Sequence, residues 1–263
     1  MKRIAITGGG GRIGRTIAPR LAAEGYRVRT IDVTDAGGGE DHVVASVLDP
    51  AALDAALRDV DAVVHLAGHA SERPWADLLA LNIDGTQKVL EACVRAGVRN
   101  VLLASSIHAV GYATPEQLAG VEVAPPRPDT YYGVSKAALE ALGSVFADRF
   151  GMAVVSARIC TFADEPGDGR ALASWLSPGD MVRLVRAAVE LETPGHRIVW
   201  GVSRNSPGWF DLSAGEAIGY FPQDDAVEWV RDEADAPTIP ERDELLGGEF
   251  ADPGYALGHD ASQ

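Results

Sequence analysis

The stretch Thr7-Gly8-Gly9-Gly10-Gly11-Arg12-Ile13-Gly14 constrains this chain more than any other. It follows a short apolar run, Arg3 to Thr7, and opens a segment of helical period, Arg12 to Ala23. Glycines at 8, 11 and 14 permit a tight turn, let the backbone approach a pyrophosphate and let the helix pack closely on its strand. The first turn of that helix then offers N–H donors to phosphate. A glycine-rich surface turn is the competing reading, but it needs neither the strand before nor the helix after. A dinucleotide site is therefore expected, with Gly8, Gly11, Arg12, Ile13 and Gly14 against the cofactor.

The rest of the chain agrees with that opening. Short β-branched runs alternate with alanine- and leucine-rich segments of helical period, the pattern of βαβ units and a parallel sheet. Strands are expected at Arg3–Thr7, Arg27–Ile31, Val43–Ala45, Ala62–His65, Asn100–Ala104, Ala153–Arg158 and Arg197–Trp200. Helices are expected at Arg12–Ala23, Pro50–Leu57, Trp75–Ala96, Tyr131–Phe150 and Pro178–Leu191. Right-handed crossovers then require an α/β fold, a doubly wound parallel sheet of Rossmann type. Residues 1–160 read as the dinucleotide-binding Rossmann core, the Tyr131–Phe150 helix included. Residues 161–263 read as a small C-terminal lobe covering the substrate, with one strand returning to the sheet and a polar tail beyond Pro237 wrapping the surface.

Charge and cysteine content exclude other classes. With 23 basic against 38 acidic residues the formal net charge is −15, which opposes non-specific binding to nucleic acid or anionic membrane. Neither a signal-peptide core nor an apolar run of membrane-spanning length is legible, so a cytoplasmic location is expected. Cys93 and Cys160 cannot make a disulfide framework and read as buried small apolar residues. The six histidines have no ligand spacing, so no metal is expected.

Asp32 ends the second strand, 18 residues past Gly14, where a carboxylate accepts from both ribose hydroxyls of NAD and repels the 2′-phosphate of NADP. The alternative is an aspartate that begins a turn. Asn82 reads either as a brace beside the nicotinamide or as a helix-interior amide bonded to backbone.

In Thr130-Tyr131-Tyr132-Gly133-Val134-Ser135-Lys136 two tyrosines precede a lysine. Helix positions four apart share a face, whereas positions five apart do not, so Tyr132 and not Tyr131 pairs with Lys136. An ammonium beside a phenol favours the phenolate and draws its pKa down from about 10 toward the range of a general base. A strand leads into Ala104-Ser105-Ser106-Ile107-His108, where a sheet's carboxyl end delivers hydroxyls to a ligand. Serines there also serve as strand-end caps; Ser106 is the preferred partner of the reacting oxygen. His108 reads equally as a structural group or a substrate contact.

Together the glycine stretch, Asp32, His-Leu-Ala-Gly at 65–68, Leu-Asn-Ile-Asp-Gly-Thr at 81–86, the 104–111 segment and Tyr132-x-x-x-Lys136 resemble the extended short-chain dehydrogenase/reductases, the NAD-dependent epimerase/dehydratase group. Within it the chain is similar to the uronate dehydrogenases, including its 170–177 and 199–211 segments. That resemblance implies an oxidoreductase of carbohydrate metabolism that oxidises the anomeric hydroxyl of a hexuronate to an aldonolactone. Tyr132 would be the base, Lys136 its partner and a ribose contact, Ser106 the group that orients the hydroxyl, and Arg170 the clamp on the substrate carboxylate.

It further implies cofactor contacts from Val33, Ser46, Val47, Leu66, Ala67, Gly68 and Ile159, and substrate contacts from Ala70, Ser71, Ile107 and His108. Homo-oligomers built on paired long helices occur among such proteins. The chain departs from the pattern at Ile107, where the family carries Asn, at Ala70, where it carries Ser, and at Ser46-Val47, where it carries Asp-Leu. A neutral aldose or sugar phosphate is the alternative substrate, with His108 and Arg127 as further cationic groups. A sugar epimerase or dehydratase, or a non-catalytic NAD-sensing relative, are further readings. The short lobe disfavours the first, and the retained Tyr-Lys-Ser set disfavours the second.

Overall fold

A computed structural model describes residues 1–35, 41–230 and 237–259. Seven parallel strands form one sheet in the order β3-β2-β1-β4-β5-β6-β9. They are β1 (Arg3–Thr7), β2 (Arg27–Asp32), β3 (Asp41–Val44), β4 (Ala62–His65), β5 (Asn100–Ser106), β6 (Ala153–Ile159) and β9 (Gly195–Gly201). The order reverses between β1 and β4, and ligands bind at such a switch point beyond the strands' carboxyl ends. All seven expected strands are present, with ends shifted by a few residues, and the expected doubly wound sheet is the fold.

Helices cover both faces, as a sheet with apolar residues on both sides requires. On one side α1 (Arg12–Ala23) and α7 (Pro178–Glu190) pack with Ile4, Ile6, Val64, Leu102 and Val155. On the other, α2 (Pro50–Ala56), α4 (Gly85–Ala96) and α5 (Tyr131–Phe150) pack with Ala5, Val63, Val101 and Val154. The apolar stripe of α7, with Met181, Leu184, Val185 and Ala188 at 0% exposure, is why its sequence carries a helical period.

The expected single helix Trp75–Ala96 is interrupted. It consists of α3 (Trp75–Leu78), a π-helical turn at Leu79–Asp84 and then α4. The wide turn lets buried Asn82 reach out of the helix: its amide accepts from His69 N–H at 2.8 Å and donates to His69 O at 3.1 Å. A periodicity argument does not locate such a turn, because the chain stays helical on both sides of it.

Within residues 161–263, β9 is a strand that returns to the main sheet, and α7 packs on that sheet's face. What stands outside is a two-strand unit, β7 (Thr161–Phe162) with β8 (Trp175–Leu176), the short α6 (Gly169–Ser174) and α8 (Ser213–Glu216), and irregular chain. The segment beyond Pro237 departs from expectation. It does not simply wrap the surface: Leu246 and Ala251 are buried, and Leu246 N and Gly247 N donate to Ala113 O and Gly111 O, each at 2.9 Å.

Candidate active site

Two adjoining cavities lie beyond the carboxyl ends of β1, β4 and β5, one of about 250 Å³ and one of about 340 Å³. Gly8, Gly11, Leu66 and Gly68 line both. The smaller adds Asp32, Val33, Ser46, Val47 and Ala67; the larger adds Arg12, Ile13, Gly14, Ala70, Ser106, His108, Tyr132, Lys136 and Ile159. An elongated ligand with a nucleoside end and a reactive end fits that shape.

The glycine turn fits a dinucleotide on its own geometry. Gly8 has φ +70°, and a Cβ on it would stand 2.7 Å from Ala67 N. A Cβ on Gly14 would meet Gly8 O and Gly9 Cα at 2.7 Å, so α1 could not seat against the turn. Gly11 caps α1 without a side-chain hydrogen bond, which leaves first-turn N–H groups for a phosphate. Asp32 is held by Gly10 N at 3.0 Å on Oδ2 and by Thr34 N at 3.1 Å on Oδ1. Oδ1 also accepts from the Thr34 hydroxyl at 3.1 Å, so Oδ2 is the oxygen that keeps a lone pair for a ribose hydroxyl, and Thr34 Oγ would have to turn away for Oδ1 to take a second.

Thr130 caps α5, accepting from Gly133 N at 3.1 Å, and this fixes the face on which Tyr132 and Lys136 stand. Both are buried, whereas Tyr131 is exposed and meets Trp75 edge-on at 5.6 Å. Lys136 Nζ donates to Ala104 O at 2.8 Å and sits 5.4 Å from the centre of the Tyr132 ring. Ser106 caps the next turn, accepting from His108 N at 3.2 Å, and lines the same cavity as Tyr132. Asn82 donates to Ser135 Oγ at 3.0 Å, and Ser135 donates to Tyr132 O at 2.7 Å. The Asn82 amide thus ties His69 to Ser135 near the start of α5.

The electrostatics correct one expectation. Burial pushes the Tyr132 phenol up to about 12, with the Ser106 side chain working against that and the Asp129 carboxylate adding to it. Burial likewise lowers Lys136 to about 8. With its ammonium turned to a backbone carbonyl, Lys136 does not draw the phenol down in the free enzyme as proximity alone suggests.

Other expected contacts are distributed unevenly. Ile107 is 2% exposed and packs in a separate cluster with Trp200, Val202 and Trp209, so the side chain expected to contact substrate faces the core. Ser71 and Arg170 do not line the larger cavity. Arg170 Nη2 donates to Leu246 O at 2.5 Å, and its buried Nε has no partner among the described residues. Arg170 is close enough to Cys160 to work against the burial that pushes that thiol up to about 12. Cys160 itself, expected as a buried apolar residue, is half-buried and lines the larger cavity.

Sequence reasoning missed three groups. Glu72 is fully buried; its carboxylate accepts from Tyr132 N and from Gly258 N, each at 2.7 Å. Phe250 stacks on His108 at 4.5 Å. Asp129 accepts from or shares a proton with His108 Nδ1 at 2.7 Å. Only the spacing Asp129-Thr130, immediately ahead of the catalytic helix, carried a signal, that of a helix start.

Comparison with known proteins gives the family of the chain. The NAD dependent epimerase/dehydratase family matches residues 4–166. Uronate dehydrogenase of Pseudomonas syringae pv. tomato is 33% identical over 94% of this chain and 92% of its own. L-arabinose 1-dehydrogenase (NAD(P)(+)) of Haloferax volcanii is 37% identical over 88% of this chain and 100% of its own. The crystal structure of a Tyr-to-Ala mutant of uronate dehydrogenase from Agrobacterium tumefaciens, complexed with NAD, superposes with a TM-score of 0.86 at 32% identity, over 95% of this chain and 97% of that one. All three are dehydrogenases, and the protein is likewise an NAD-dependent dehydrogenase acting on a CH–OH group. With its glycine turn, Tyr132-x-x-x-Lys136 pair and full-length relatives, the chain belongs to the NAD dependent epimerase/dehydratase family.

Proposed function

We propose that the protein oxidises the anomeric hydroxyl of a hexuronate to the aldonolactone. The observation that carries this reading is the convergence of Tyr132, Ser106 and Lys136 in one cavity that also holds the glycine turn. Ser106 and Tyr132 line the same cavity, so a sugar hydroxyl entering between them meets both an acceptor and a donor. Tyr132 takes the proton from the C1 hydroxyl oxygen, and the C–O bond becomes the carbonyl of the lactone. NAD, when bound, accepts the hydride from C1. Gly8, Gly11, Arg12, Ile13, Gly14 and Leu66 would hold its phosphates and nicotinamide end, and Asp32, Val33, Ser46, Val47 and Ala67 its adenosine end.

The carboxylate reading rests on Arg170. A buried Nε without a protein acceptor is costly unless a ligand supplies one, and a planar guanidinium suits a carboxylate. A neutral aldose is the second reading, favoured by the place of Arg170 outside the residues that line the larger cavity and by the donation of its Nη2 to Leu246 O, which already occupies part of that fork. Arg170→Ala separates them: KM for uronates should rise by about tenfold or more, the loss of one charge-assisted hydrogen bond, while KM for neutral sugars holds. Equal effects on both substrates would remove the carboxylate role. The expected cytoplasmic location and homo-oligomer belong to the same proposal.

A further inference from the structure

His108 lines the sugar end of the cavity with its ring held on three sides. Phe250 stacks on one face at 4.5 Å, Tyr132 meets it edge-on at 5.7 Å, and Asp129 Oδ2 lies 2.7 Å from Nδ1. The Asp129 side chain has 0% exposure, against 15% for His108. Its other oxygen accepts from the Thr130 hydroxyl at 2.9 Å, so the same carboxylate touches the cap of the catalytic helix.

Two glycines make room for this carboxylate. A Cβ at Gly111 or at Gly247 would overlap Asp129, and these two residues are themselves joined by the Gly247 N to Gly111 O bond at 2.9 Å. Asp129 is therefore clamped between the loop after β5 and the C-terminal segment, with His108 as the outlet toward the cavity. His108 Nε2 has no protein partner among the described residues.

We propose that Asp129 is a positioning residue for substrate recognition: it keeps the proton of the neutral His108 ring on Nδ1 and so presents Nε2 as an acceptor to a sugar hydroxyl. A carboxylate has only lone pairs to offer, so the nitrogen beside it must carry the hydrogen. The nitrogen left facing the cavity then accepts, and a hydroxyl of the sugar ring is the donor that matches it. This inference rests on the sugar dehydrogenase reading of the same cavity.

Asp129→Asn is nearly isosteric but can donate to Nδ1, which would move the ring's proton to Nε2 and reverse the hydrogen-bond polarity met by the sugar. The expected result is a KM for sugar raised by about tenfold or more, with the dissociation constant for NAD unchanged. Placed on a His108→Ala background, Asp129→Asn should add nothing, because its effect passes through the imidazole. A merely structural Asp129 would lower both activities equally in either background, and that result overturns the proposal. Nitrogen-15 spectra of histidine-labelled protein, with His108 assigned by its loss in His108→Gln, test the tautomer without any substrate. A proton on Nδ1 alone in the wild type and on Nε2 alone in Asp129→Asn support the proposal; the Nε2–H tautomer, or a ring protonated on both nitrogens, in the wild type overturns it. If the wild type oxidises no sugar while these spectra come out as expected, the substrate reading has failed and the tautomer control has not.

Discussion

Tyr132 shows how far a residue can be understood from spacing. The interval of four to Lys136 identified which of two adjacent tyrosines enters the site, and Tyr131 indeed lies outside on Trp75. The same spacing said nothing of the direction in which burial moves the phenol, because a desolvation cost depends on residues brought in from β5 and the 111–130 loop. With the folded value raised to about 12, Tyr132 keeps its proton at pH values where an exposed phenol has lost it. A difference absorbance titration of cofactor-free wild type against Tyr132→Phe should therefore show no phenolate below about pH 11. A phenolate appearing near pH 8 would mean that Lys136 acts on the free enzyme after all. His108 and Ile107 make the complementary point: adjacent in sequence, one lines the cavity and the other fills a core cluster, because the short 3₁₀ turn after Ser106 sends them to opposite sides.

At the level of elements, strands were legible as short, continuous apolar runs, because helices cover both faces of the sheet, and the long helices as the alanine- and leucine-rich segments between them. All seven sheet strands and the helices α1, α2, α5 and α7 lie where those two kinds of segment put them. The π-helical turn at Leu79–Asp84 was not legible, since its cause is a tertiary demand, the delivery of the Asn82 amide to His69 and Ser135. Asn82→Ala leaves the His69 N–H without that acceptor and withdraws support from α5. Its expected cost is about 1–3 kcal/mol in urea denaturation, with a weakened affinity for NAD. Unchanged stability would mean that the turn persists for reasons of backbone packing alone.

Across the whole molecule, the C-terminal segment ties parts that the sequence leaves far apart. Gly258 N meets Glu72, Phe250 covers His108, and Leu246 O takes a bond from Arg170. Its polar composition suggested a surface wrap, because hydropathy does not register backbone donors and glycine contacts. A chain ended after Gly248 keeps the buried Leu246 and the Gly247 bond but loses Phe250 and Gly258. It should bind NAD normally and show a sugar KM raised by about tenfold or more; an unaltered KM would confine the segment to a structural role.

The central claim, that this cavity performs C1 oxidation with Tyr132 as base, is tested most directly by following NADH absorbance. Purified protein would be given NAD with glucuronate, galacturonate, glucose or glucose 6-phosphate. NADH should form with a uronate, and Tyr132→Phe should lower kcat by about 10²- to 10⁴-fold while leaving NAD binding intact. No NADH with any of these sugars, or a Tyr132→Phe enzyme as fast as the wild type, would contradict it.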